Sequence, residues 1–173
     1  LDTFKALIEV FERELNCKIY FKVGNHEERY EKFMMEKAGE LIGIEEFELE
    51  NIIKSRVNGI QMINGKQIMQ AGGLNILHGH EFGQSVFSPV NIARGLYMKG
   101  KVSAIQGHNH RTSSHTEKNM NQKIVTTWSL GCLCELTPEY LPINQWNHGF
   151  AMVDLDGGEF HVRNMSIYKG KVY

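Results

Sequence analysis

Three short stretches concentrate side chains that bind metal ions: Gly24-Asn25-His26-Glu27, His78-Gly79-His80 and Gly107-His108-Asn109-His110. They hold five of the eight histidines, with amides and a carboxylate besides. Neutral imidazole nitrogen and amide oxygen are ligands for Mn, Fe, Ni or Zn ions. Side chains on extended backbone alternate in direction, so the two histidines of a His-x-His lie on one side. They can share one ion or reach two held close together. A glycine before or between them lets the backbone turn tightly against the site. Alone, each stretch is an ordinary loop. The letters His-Asn-His do not signal the nuclease motif of that name, whose residues are dispersed. Recurrence in order, each time after a strand, is what carries the metal reading.

The elements that position these stretches are legible from periodicity. Leu1, Phe4, Leu7, Ile8, Phe11 and Leu15 recur at helical spacing, with Glu9, Glu12, Arg13 and Glu14 off the stripe, which predicts a helix over 2–15. The β-prone run 18–23 leads into Gly24. A second helix is expected from Glu28 to about Ala38, and a third over 45–53. Asn58-Gly59 and Asn64-Gly65 are turn signals around 60–63. Strands over 66–70 and 74–77 flank Gly72-Gly73, and the second runs into His78. Ser88-Pro89 has the chemistry of a helix start, with the helix running to Lys99. A strand over 102–105 runs into Gly107. Further strands are expected at 124–129, 132–136, 149–155 and 159–164, with a hairpin turn at Asp156-Gly157-Gly158. The order is α/β for two thirds of the chain and β-rich after that. Open α/β sheets bind ligands beyond the carboxyl ends of their strands, where all three stretches fall.

Composition narrows the field. At 173 residues the chain suits one domain, 1–173, with a real core. A net charge of −1 disfavours a strongly basic nucleic-acid module. No apolar run is long enough to span a bilayer, so no membrane partner is expected. Three cysteines without a Cys-x-x-Cys pair fit a reducing, cytoplasmic setting.

With these residues in order, the sequence resembles the calcineurin-like metallophosphoesterase superfamily. That family's signature is Asp-x-His, Gly-Asp, Gly-Asn-His-Asp/Glu, a His often followed by Gly-His, and Gly-His-x-His. The last three elements are the three stretches above. The tail, with Trp128-Ser129-Leu130-Gly131-Cys132 and Asn147-His148-Gly149-Phe150, looks like phage or prophage-type members. The resemblance implies a four-layer α/β/β/α sandwich and a dinuclear centre of divalent Mn, Fe, Ni or Zn. It implies that Asn25, His78 and His108 bind one ion and His110 the other. His26 would donate to the phosphate and protonate the leaving oxygen, with Glu27 orienting it. A hydroxide bridging the two ions would attack phosphorus in line. The implied substrate is a phosphoester, with a phosphodiester such as a nucleotide or nucleic acid favoured over a monoester.

The pattern is incomplete. No Asp-x-His and no Gly-Asp precede residue 24, and the chain opens on Leu1 directly into helix. It therefore reads as an N-terminally truncated member, with one ion or none and little or no activity by itself. Its first strand should leave a sheet edge exposed, or covered by a second copy in a homo-oligomer. The rival class is a non-catalytic metal-binding or scaffold module of the same fold. Of the remaining candidates, Arg29 can contact phosphate or simply be solvated, and His80 can contact phosphate or support His78. His115 is expected in a surface loop. His148 and His161 are expected to be structural. Cys132 and Cys134 fall on one face of a strand and read as buried small residues rather than metal ligands.

Overall fold

The computed structural model describes residues 2–54, 59–83 and 90–173. Asn58 of one expected turn and the expected Ser88-Pro89 helix start lie outside the described residues. The chain gathers into two compact units, Leu1–Gln67 and Ile68–Tyr173, where the sequence reads as one domain. Among the described residues no helix is long and apolar enough to cross a membrane.

In the first unit, helix α1 (Asp2–Leu15) places Ile8 against Ile53 and Ile60, with Phe4 and Phe11 alongside. Full burial of each such side chain contributes about 1.5–3 kcal/mol. Strand β1 (Ile19–Lys22) pairs in parallel with β2 (Ile60–Ile63). The two form a two-stranded sheet, so each has an edge without a strand partner among the described residues. Helix α2 (Asn25–Lys37) begins three residues before the expected Glu28. Gly24 is its extended N-cap, and the Glu27 carboxylate accepts from the Gly24 N–H at 2.8 Å. That bond closes the first turn. Gly-Asn-His-Glu is thus a helix start, not a loop. The expected helix at 45–53 resolves into a 3-10 turn, Glu45–Phe47, and a short α3 (Leu49–Lys54).

The second unit is built on a five-stranded sheet. Its strands are β3 (Met69–Ala71), β4 (Leu74–Leu77), β5 (Ala104–Gln106), β6 (Ser113–Lys118) and β7 (Ile124–Ser129), in the order β3-β4-β5-β7-β6. β4, β5 and β7 are parallel; β3 and β6 run antiparallel at the edges. Helix α4 (Ile92–Gly100) starts after Asn91, whose Oδ1 accepts from Arg94 N–H at 3.0 Å. The sequence reading placed this cap at Ser88. Val125, Thr127 and Ser129 of β7 are buried at alternate positions. Thr127 Oγ1 donates to Ala93 O of α4 at 2.6 Å, so this face carries the helix.

The intervening Trp128 meets Phe160 with ring centroids 6.2 Å apart. Phe160 belongs to a second, antiparallel sheet of β8 (His148–Asp156), β9 (Glu159–Tyr168) and β10 (Lys171–Val172). Asn164 of β9 donates from Nδ2 to Ser113 O and Ser129 O, fastening the two sheets. The unit's layers are therefore helix, sheet, sheet, and the fold class is α/β as expected.

Two expectations are corrected here. Residues 132–136 do not form a strand; one isolated bridge joins Cys132 to His148. Pairing stops at Cys132, whose N–H donates to Asn147 O and whose carbonyl accepts from Gly149 N–H. Conversely, His115 lies in strand β6, not a loop, hydrogen-bonded to Glu117 and beside Tyr97. Its polar run lacks the apolar alternation that marks a strand.

Candidate functional site

β4 and β5 are neighbours in parallel, with Leu77 opposite Gln106, so both carboxyl ends open on the same side. His78 follows one strand and Gly107-His108 the other. His78 O accepts from Gly107 N–H at 3.1 Å and His108 N–H at 2.8 Å, which ties the loops together. The imidazoles of His78, His80 and His108 meet as a result. Ring centroids are 4.8 Å apart for 78 and 80, 4.9 Å for 78 and 108, and 6.4 Å for 80 and 108. His78 Nδ1 and His80 Nδ1 are 2.9 Å apart. As a hydrogen bond, this needs one ring to donate and the other to accept. The separation also suits two nitrogens on one ion, about 2.9–3.4 Å for metal–nitrogen bonds of ~2.0–2.1 Å.

Residues that sequence reasoning missed hold this cluster. The Glu81 carboxylate accepts from His78 N–H at 2.9 Å and Gly79 N–H at 2.6 Å, and lies 3.8 Å from His80 Nδ1. Gly79 has φ +120°, and a Cβ there would come within 2.8 Å of both Gln106 Oε1 and His108 Cβ. Gln106 is 1% exposed and donates from Nε2 to Asn109 Oδ1 at 3.0 Å. Its Oε1 is buried without a hydrogen-bond partner among the described residues. No sequence signal marked Gln106 or Glu81 beyond their adjacency to histidines.

His110 has different neighbours. Its backbone is left-handed, φ +55°, a conformation uncommon for a residue with a side chain. Its ring packs edge-on against Trp146, centroids 4.4 Å apart, and its Nδ1 lies 3.8 Å from Cys134 Sγ. Among the described residues, one group of three His, Cys, Asp or Glu side chains has its ligand atoms within 4.8 Å of one another: His110, Cys132 and Cys134. Cys132 is buried and Cys134 exposed, so the expectation of two buried filler residues holds only for the first. Burial, and then the Cys134 thiol beside it, push the Cys132 thiol up to about 11. The segment is clamped by Cys132 N–H to Asn147 O at 2.9 Å and Gly149 N–H to Cys132 O at 3.0 Å. His148 meets Cys134 O through Nε2 at 2.8 Å, the structural part expected of it.

Asn25, His26, Glu27 and Arg29 lie in the first unit, on the opening turns of α2. Asn25 Oδ1 is buried with no hydrogen-bond partner among the described residues, an unusual state for an amide oxygen. His26 and Arg29 are exposed. The Glu27 carboxylate is engaged with Gly24 N–H, so the bond it makes here caps the helix.

No protein-family model matches the chain. No curated protein matches it. Among solved structures it is similar to Vps29 from Entamoeba histolytica. For a double mutant of that protein the identity is 12%, covering 72% of this chain and 71% of the other, with a TM-score of 0.42. For the wild-type Vps29 complexed with zinc it is 15%, covering 66% and 62%, again with a TM-score of 0.42. Identity this low leaves the chemistry to the chain's own residues.

Proposed function

We propose that the chain is a metal-dependent phosphoesterase whose ion is held by His78 and His108. The observation that supports this is the meeting of three imidazoles at the carboxyl ends of two adjacent parallel strands. The residues fit such an ion: imidazole nitrogen donors from two neighbouring loops are gathered in one place. A divalent ion supplies Lewis acidity toward a phosphoryl oxygen and lowers the pKa of water.

The chain's own groups do the rest. Glu81 holds the 78–80 turn through two backbone N–H groups. His80, hydrogen-bonded to His78, fixes that ring or donates to a phosphate oxygen. Through the resemblance, His26 is the acid for the leaving oxygen and Arg29 a phosphate contact. A phosphodiester, nucleotide or nucleic acid is the favoured substrate class. The edges of β1 and β2, which have no strand partner among the described residues, support a homo-oligomer, which light scattering on the purified chain would read.

The test is hydrolysis of bis-p-nitrophenyl phosphate with Mn. We expect slow metal-dependent turnover, reduced by the missing Asp-x-His and Gly-Asp elements, that falls about 10–100-fold or more in His78→Ala and His108→Ala. Asn25→Ala and His26→Ala test the roles taken from the resemblance in the same assay. A folded chain with no metal-dependent turnover would sink the proposal. It would favour the non-catalytic metal-binding module.

A further inference from the structure

We infer that His110, Cys132 and Cys134 form a soft-metal site that takes zinc, so that His110 serves this site and not the second ion that the resemblance implies, an inference that does not depend on phosphoesterase activity. Tetrahedral zinc with Zn–S of ~2.3 Å and Zn–N of ~2.0–2.1 Å has ligand–ligand edges of about 3.5–3.8 Å. The Cys134 Sγ to His110 Nδ1 distance is 3.8 Å, already such an edge. All three ligand atoms lie within 4.8 Å of one another, so an ion needs to draw the widest pair in by only about 1 Å.

The site is built, not incidental. His110 holds a left-handed φ of +55°. That conformation is anchored on both sides, by His110 N–H to Gly107 O at 3.2 Å and Asn147 N–H to His110 O at 3.0 Å. Such strain persists where the surroundings over-determine it, and it clusters at ligand sites. Trp146 packs against the ring, and the bridge to His148 holds the cysteine segment in place. Gly131 allows that approach: a Cβ there would sit 2.5 Å from Asn147 O.

The donor types set the ion. Two thiolates and an imidazole favour zinc over manganese, which prefers oxygen ligands. Two thiolates neutralise a divalent cation, and binding releases both thiol protons to solvent. Among the described residues three protein ligands are within reach, which leaves a fourth tetrahedral position for water.

Cobalt substitution of the reduced, full chain tests this without any substrate. We expect a thiolate-to-cobalt charge-transfer band at one equivalent, displaced by zinc and not by manganese. The band should vanish in Cys134→Ser, whose side chain is exposed and whose fold circular dichroism can verify, and in Cys132→Ser. It should persist in His78→Ala and His108→Ala, which separates this site from the phosphoesterase centre. Absence of the band in the folded wild-type chain would overturn the inference. So would its survival in Cys134→Ser, or its loss in the His78 and His108 variants.

Discussion

Gly79 is the position where a single methyl group would disturb the histidine cluster directly. Its φ of +120° is closed to other residues at low cost, and the added Cβ would crowd His108 Cβ, which cannot swing away as the Gln106 amide can. Gly79→Ala should cost at least about 1–3 kcal/mol, read as a lower urea midpoint, and should weaken metal binding as the rings separate. Thiol chemistry gives a second residue-scale prediction. Cys17 and Cys134 are exposed and Cys132 is buried, so native-state iodoacetamide should label the first two and reach Cys132 only on unfolding. Added zinc should protect Cys134 and leave Cys17 reactive, by peptide mass mapping. The histidines were legible in the sequence because they directly follow strands and sit beside glycines. Glu81 and Gln106 were not, because their parts depend on which backbone groups two loops bring within reach. The exposure of Cys134 was not legible because residues 132–136 form no strand to turn it inward. His110 is more than twenty positions away in sequence, and the clamp between Cys132 and residues 147–149 holds the cysteine segment near it.

Among the elements, α4 depends on two polar contacts. Thr127 is fully buried, and its hydroxyl donates to Ala93 O. Thr127→Val keeps the shape and removes that hydrogen bond, at about 0.5–1.5 kcal/mol, which calorimetry would read as a fall in Tm. Asn91→Ala removes the cap of the same helix and should cost about 0.5–2 kcal/mol by the same measure. Elements that bury one face strongly were legible. α1 follows its apolar period from end to end, and β7 follows its alternation. The hairpin of β3 and β4 was announced by Gly72-Gly73, where Gly72 has φ +57°. Elements set by tertiary pairing were not. β6 is a run of polar residues that becomes a strand because β7 offers it an edge along six residue pairs. α2 starts early because the Glu27 carboxylate finds Gly24 N–H, a local bond that apolar periodicity does not reveal.

For the whole molecule, the mixed α/β order followed by β-rich sequence gave the fold class. The division at Gln67 and Ile68 was not legible, since the polar run Asn64-Gly65-Lys66-Gln67 before it is no longer than an ordinary turn. Charge is a property at this scale too. With a net charge of −1 and a pI near 6.8, the chain carries little self-repulsion at neutral pH. Solubility under polyethylene glycol should pass through a minimum near that pH and rise on either side.

One consequence follows from the close approach at Gly131. Because residues 131–132 and 147–149 grip each other, the stretch between them leaves and rejoins the body at nearly one place. Its outer part is bare: Tyr140 is 72% and Ile143 91% exposed. That excursion is a natural graft point. A short epitope spliced between Pro142 and Ile143 should leave the body intact, because its two ends are already held together by the backbone that carries them.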